Sequence, residues 1–158
     1  MDAQPRIRMR LATAADVGRV IREIGCDFFD ESGFARFAEF DPERWEETCK
    51  RRIRAGSTPF IVAELQNSDI IGFVSYALEH SFTTRPIACL WMFYVYPAWR
   101  GTPVARALLT SAIDVARGDE ACAFFATLFP THRGGRTLFN LFRKFDFAPQ
   151  GGALFRSL

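Results

Sequence analysis

The sequence predicts a single α/β (α+β) domain over residues 1–158, with a mixed six- to seven-stranded sheet flanked by about four helices. Three observations predict it. Apolar residues alternate with polar ones over 6–12, as in a half-buried strand. Two runs, Pro59 to Leu65 and Ile70 to Glu79, flank the turn Gln66-Asn67-Ser68-Asp69 and read as antiparallel strands. An apolar strand at 87–96, a helix at 103–117 and an apolar run from Cys122 to Phe129 then form a β-α-β unit, whose two strands must be parallel.

In the first strand Ile7, Met9 and Leu11 face the core and Arg6, Arg8 and Arg10 face away. Thr13 caps a helix over 14–25 that buries Val17, Val20, Ile21 and Ile24 and stops at Gly25. Residues 28–40 hold Phe28, Phe29, Phe34, Phe37 and Phe40 with no clean period, which predicts a loop with a short helix and a candidate dimer face or substrate lid. Asp41-Pro42 opens a helix that runs to about Ala55 and ends at Gly56, with Asp as cap and Pro pre-set at the first position. The turn Thr83-Thr84-Arg85-Pro86 leads into strand 87–96 and completes an antiparallel meander. Helix 103–117 carries Val104, Ala107, Leu108, Ala112 and Val115 on one face. The run 122–129 is continuously apolar and predicts a strand buried on both faces. A helix at about 135–145 and a last strand at about 152–157 follow.

The bulk numbers exclude several function classes. Apolar residues are 49% and charged residues 24%, ordinary for a globular chain, while 17 Phe predict an aromatic core. A net charge of +2 is too small to argue for nucleic acid, although residues 97–158 hold eight Arg and Lys against four Asp and Glu. The four cysteines (Cys26, Cys49, Cys89, Cys122) lack paired spacing and stand apart from His80 and His132, so neither a disulfide framework nor a metal site is predicted, and they read as core filler. No signal-peptide pattern and no apolar run long enough for a bilayer appears, so no membrane contact and a cytoplasmic setting are expected.

The most informative stretch runs from Tyr94 to Leu109. It reads as a buried strand, a tight basic turn and the start of an amphipathic helix. Backbone N–H groups at a helix start lack intrahelical partners, and the helix dipole reinforces them, so this turn is an anion site suited to phosphate or pyrophosphate. Arg100 and Arg106 flank it.

These residues resemble the GNAT superfamily of acetyltransferases. The element order agrees, Phe93-x-Val95-x-Pro97-x-x-Arg100-Gly101 matches the apolar strand that leads to the family's cofactor loop, and Leu141-Phe142-Arg143-Lys144-Phe145-Asp146-Phe147 resembles an L-Y-x-K-x-G-F ending. The family's [Q/R]-x-x-G-x-[G/A] pattern also aligns with this loop, over Arg100-Gly101-Thr102-Pro103-Val104-Ala105, with Pro103 replacing the central glycine and removing one N–H donor. Thr102 as helix cap and Pro103 at the first helical position offset that loss locally.

The resemblance implies an acetyl-CoA co-substrate and an amine acceptor, either a small molecule or a protein. It implies that the pantetheine arm pairs with the backbone of Phe93, Tyr94 and Val95, and that the pyrophosphate rests on the amides of Gly101, Thr102, Val104, Ala105 and Arg106, with Arg100 opening the loop. Ala105 is small enough for close approach. An N–H near Tyr94, freed by a strand bulge, is the implied oxyanion donor. The family's usual acid, a Tyr on the last helix, is replaced by Phe142, which leaves Tyr94, Tyr96, His132 or water to protonate the thiolate. Glu79, beside His80 at a strand end, is the first candidate base, with Glu64 on the neighbouring strand; a base would carry a raised pKa, whereas a solvent-facing strand end would not. Against catalysis stands a CoA-binding sensor or interaction module, which Phe142 and Pro103 favour. A nucleic-acid module is disfavoured, because the aromatics lie in apolar strands rather than among the arginines.

Overall fold

The computed structural model describes residues 6–56, 58–81, 83–126 and 135–149. Strands β1 (Ile7–Leu11), β2 (Phe60–Leu65), β3 (Ile70–Glu79), β4 (Ile87–Val95) and β5 (Ala123–Phe125) lie in the sheet in that order. The first four are antiparallel, and β5 runs parallel to β4. The sheet thus has five strands among the described residues rather than six or seven; the strand expected at 152–157 lies outside them.

Two helical layers cover the sheet. Helix α1 (Ala14–Val20), a π-helical turn (Ile21–Gly25), α2 (Cys26–Ser32) and α3 (Pro42–Arg54) cover one face, where Val17, Val20, Ile21, Ile24 and Cys49 pack on Phe60, Val62, Phe73, Met92 and Tyr94. Helix α4 (Val104–Gly118) covers the other, with Val104, Leu108, Ala112 and Ala116 against Ile61, Ala63, Val74 and Ala88. A fully buried Leu such as Leu108 contributes about 1.5–3 kcal/mol relative to its exposed state. Helix α5 (Gly135–Arg143) closes the described chain near β4 and β5.

Capping follows the sequence. Thr13 and Asp16 form a reciprocal capping box at α1, and the Asp41 carboxylate accepts the Arg44 N–H with Pro42 first in α3. Gly25, however, does not stop the first helix. Its backbone is helical (φ −63°, ψ −43°), and the chain stays helical through a π turn to Ser32. Its missing side chain serves packing instead, since a Cβ would lie 2.8 Å from Trp45 Cζ3 and 3.2 Å from Phe40 Cζ. Gly33, at φ +81°, ends α2 in the left-handed conformation that a helix stop requires. The short helix expected within 28–40 is thus the end of α2, followed by a 3₁₀ turn at Phe34–Arg36.

Three other expectations are corrected. Leu11, at the end of the edge strand, is 57% exposed, while Arg10 on the opposite face is held by Asp16 and Glu64 rather than left in solvent. The run 122–129 is not buried on both faces over its described part. Only Ala123–Phe125 pair, at the sheet edge, and Phe125 is half exposed. Of the four cysteines, all free, only Cys49 is buried; Cys26 and Cys122 are exposed.

Candidate active site

The site is built on β4. Its register to β3 slips between Ser75↔Met92 and Tyr76↔Leu90, leaving Trp91 as an extra residue. This bulge inverts which face each later side chain meets. Before it, Ala88 and Leu90 pack with the α4 layer; after it, Met92 and Tyr94 pack with the α1–α3 layer and Phe93 and Val95 with α4. The bulge lies three residues before Tyr94. On its other side β4 pairs with β5 only over Ile87–Cys89. From Leu90 to Val95 that edge has no strand partner among the described residues, which leaves a row of backbone groups able to take an extended ligand. Close pairing at the far end of β4 depends on Gly72, where a Cβ would lie 2.9 Å from the Tyr94 carbonyl oxygen.

After Val95 the chain makes a 3₁₀ turn (Pro97–Trp99), and Gly101 takes φ +80°, a conformation costly for residues with a Cβ. The Thr102 hydroxyl donates to the Trp99 carbonyl at 2.6 Å and accepts the Val104 N–H at 3.4 Å. Pro103 stands at the cap rather than in the first turn, one position before that expected; its fixed φ of −63° suits either place. The amides of Gly101, Ala105 and Arg106 have no acceptor among the described residues, whereas those of Thr102 and Val104 make long bonds of 3.4 Å to Trp99 and Thr102. Three unpaired donors therefore converge at the start of a fifteen-residue helix that carries no acidic residue in its first turn. Ala105 is half-buried there and Arg106 exposed.

The Arg100 side chain points back from the turn. Its Nε donates to the Val95 carbonyl at 3.0 Å, its Nη2 donates to both Glu31 carboxylate oxygens at 2.8 and 2.7 Å, and its guanidinium lies 5.3 Å from the centre of the Tyr94 ring. Tyr94 is 4% exposed and lies among Phe28, Phe73 and Arg100, with its hydroxyl buried and without a partner among the described residues. Burial, followed by the charge of Glu31, pushes its pKa up to about 12, so the phenol keeps its proton at neutral pH.

The remaining candidates lie apart. Glu79 ends β3 opposite Ile87, seven residues along β4 from Tyr94, or about 23 Å at 3.3 Å per residue. Its carboxylate accepts the Ser81 N–H at 2.7 Å, and hydrogen bonding from Ser81 lowers its pKa instead of raising it. Glu64 is engaged by Arg10 and Arg8, whose hydrogen bonds draw its pKa down to about 2. His132 lies outside the described residues. Phe142 is 1% exposed, with ring centres 6.0 Å from Phe93 and 4.8 Å from Phe147. The ending that carries it closes as a left-handed cap: Asp146 takes φ +62°, where the resembled pattern has Gly, and the Phe147 N–H returns to the Phe142 carbonyl at 3.3 Å. Glu31 was not legible in the sequence, because it sits in the Phe-rich segment read as a loop with a short helix, 69 positions from its partner Arg100.

Among the described residues no helix is long and apolar enough to cross a membrane, and no group of three His, Cys, Asp or Glu could hold a metal ion. No curated protein matches the sequence. Among solved structures, the fold is similar to an aminoglycoside N-acetyltransferase, AAC(6')-Iy, in complex with CoA (12% identity, TM-score 0.79, covering 100% of this chain and 98% of that one). It is similar to an acetyltransferase of Trypanosoma brucei (15% identity, TM-score 0.74, 97% and 100% covered) and to a transcriptional regulator of Bacillus halodurans C-125 (16% identity, TM-score 0.75, 97% and 100% covered). At such identities the likeness concerns the fold. The sequence also matches the profile of the Acetyltransferase (GNAT) family over residues 21–147, from the π turn through β4 and the amide-rich turn to the cap at Phe147. The chain belongs to the GNAT acetyltransferase family.

Proposed function

We propose that the protein is an acetyl-CoA-dependent N-acetyltransferase that transfers acetyl to a primary amine by direct attack on the thioester. The observation that carries this reading is the set of amides at Gly101, Ala105 and Arg106 with no acceptor among the described residues, next to a strand with no described partner on that edge from Leu90 to Val95. The amides suit a diphosphate, and the open edge suits the amide groups of a pantetheine arm along Phe93, Tyr94 and Val95. Thr102 and Val104 add donors whose present bonds are long enough to yield. Pro103 removes one donor, a loss of about 1.5–3 kcal/mol if the partner is charged, and three free amides offset it.

In this reading the chain positions two reactants and supplies donors for the charge that develops on the thioester oxygen. A thiol leaving group needs a proton. Tyr94 holds one, though its high pKa makes it a weak acid, and His132 and water are the other sources in this reading. Glu79, the first candidate base, is held at the far end of β3 with a lowered pKa, beyond the reach of a single water from Tyr94, so in this reading bulk water takes the proton of the amine. One observation favours the CoA-binding module instead: Phe142, sealed against Phe93 and Phe147, has no proton to give.

The test is Ala105→Glu. A carboxylate among the three free amides should abolish CoA binding in calorimetry while leaving the thermal transition in place, since Ala105 is only half-buried. Unchanged CoA affinity would place the diphosphate elsewhere. Thiol release from acetyl-CoA with an amine panel separates enzyme from binding module: binding without release under any amine selects the module.

A further inference from the structure

A buried hydroxyl without a partner is costly, and such a group is tolerated where a ligand later supplies the missing bond. The Tyr94 hydroxyl is such a group. The groups whose charge acts on it are Glu31, Arg100, Asp27 and Tyr96. Asp27 and Glu31 are four residues apart on α2, hence on one helical face. That face is anionic, and among the described residues its ion pair is with Arg100, bound through Nη2 to both Glu31 oxygens and lying over the Tyr94 ring. Arg100 is also the residue before Gly101, whose amide is free. The same guanidinium therefore stands between an anionic slot and an anion-binding turn.

We propose that Glu31 is the residue that receives the positive charge of the acceptor, and that Arg100 stands in for that charge until a diphosphate at the 101–106 turn draws it away. This rests on the reading of the turn as a CoA site. A diphosphate competes well for Arg100, because guanidinium and phosphate pair in a bidentate, charge-assisted geometry. Once Arg100 swings, Glu31 is left without its counterion, its side chain one-third exposed, and its charge acts on the Tyr94 phenol, whose oxygen can accept a hydrogen bond. An ammonium fills that vacancy with one bond to the carboxylate and one to the Tyr94 oxygen, and Asp27 adds field. The acceptor class is therefore an amine with a second positive charge, such as a diamine, a polyamine or an amino sugar. Carrier and acceptor become coupled, since each binds better once Arg100 has moved.

The experiment compares 1,4-diaminobutane with butylamine, which matches its length but lacks the second charge, in the wild-type chain, Glu31→Gln and Arg100→Gln. CoA binding is first measured in the wild type by calorimetry. The wild type should prefer the diamine, and saturating CoA should tighten its binding by roughly 5- to 150-fold. Glu31→Gln should raise the diamine KM about 10- to 100-fold, the worth of a charged hydrogen bond, with the butylamine KM within about twofold and the coupling lost. Arg100→Gln should bind diamine tightly without CoA. CoA binding with equal use of both amines, or Glu31→Gln with wild-type selectivity, overturns this inference and leaves the CoA reading standing. No CoA binding in folded wild-type protein overturns both.

Discussion

Removing the Tyr94 hydroxyl should make the protein more stable. In Tyr94→Phe the ring keeps its neighbours: Phe28 at 6.1 Å and 87°, Phe73 at 6.1 Å and 29°, and the Arg100 guanidinium at 5.3 Å. Only the buried, unpaired oxygen goes. An unsatisfied buried polar group costs about 1–3 kcal/mol. The opposing effect is a slightly weaker cation–π contact, a small part of an interaction worth about 0.5–1 kcal/mol at a partly exposed site. The net gain is therefore roughly 1–2 kcal/mol. For a chain of this size each kcal/mol moves Tm by about 2–4 °C, so Tm should rise by roughly 2–8 °C. Urea unfolding followed by tryptophan fluorescence should show a higher midpoint at unchanged slope, which locates the effect in the folded state rather than in the compactness of the unfolded one. The same variant should bind a dicationic acceptor less well. A lower midpoint would mean that the hydroxyl is already paired in solution, and the argument that it awaits a ligand would fall.

Three further outcomes are expected. Arg10→Met should flatten the acid side of the stability profile. Hydrogen bonds from Arg10, then Arg8, hold Glu64 near pKa 2, against 4.5 for a free side chain, and Arg10 holds Asp16 below its ordinary range. A depressed carboxylate contributes stability that is present above its unfolded pKa and lost as pH falls toward the folded one, so the wild type should weaken between about pH 4.5 and pH 2 and the variant less steeply, as read by urea midpoints at each pH. Asp146→Gly should stabilise the chain by about 0.5–1 kcal/mol, because φ +62° costs Asp what it does not cost Gly, and a midpoint that fails to rise would show that the Asp side chain compensates. Phe142→Tyr places a phenol beside Phe93 and should raise thiol release about tenfold or more if proton donation to the thiolate limits turnover, with CoA affinity unchanged; no gain would shift the acid role to His132, Tyr94 or water.

Much of the fold was legible because its signals are local. The Thr13 and Asp41 caps, the meander from Phe60 to Val95 and the strand–turn–helix around Gly101 each depend on residues within a few positions of one another. Backbone donors at a helix start need no particular side chain, so the turn with free amides could be read from Gly101, Ala105 and their context alone. The extent of the first helix could not, because whether a glycine stops a helix depends on what packs against it. Gly25 stays helical under Trp45, and Gly33 turns left-handed.

Sequence order alone was enough to show that an apolar strand runs through a tight turn into an amphipathic helix, since both follow from periodicity. The direction in which Tyr94 points was settled only in three dimensions. Side chains along a strand alternate, so the single extra residue at Trp91 carries every later one to the opposite face, and such a bulge shows only against a paired neighbour. The pairing of Arg100 with Glu31 joins residues 69 positions apart, and no local pattern encodes which of many carboxylates an arginine will meet once the helices close over the sheet.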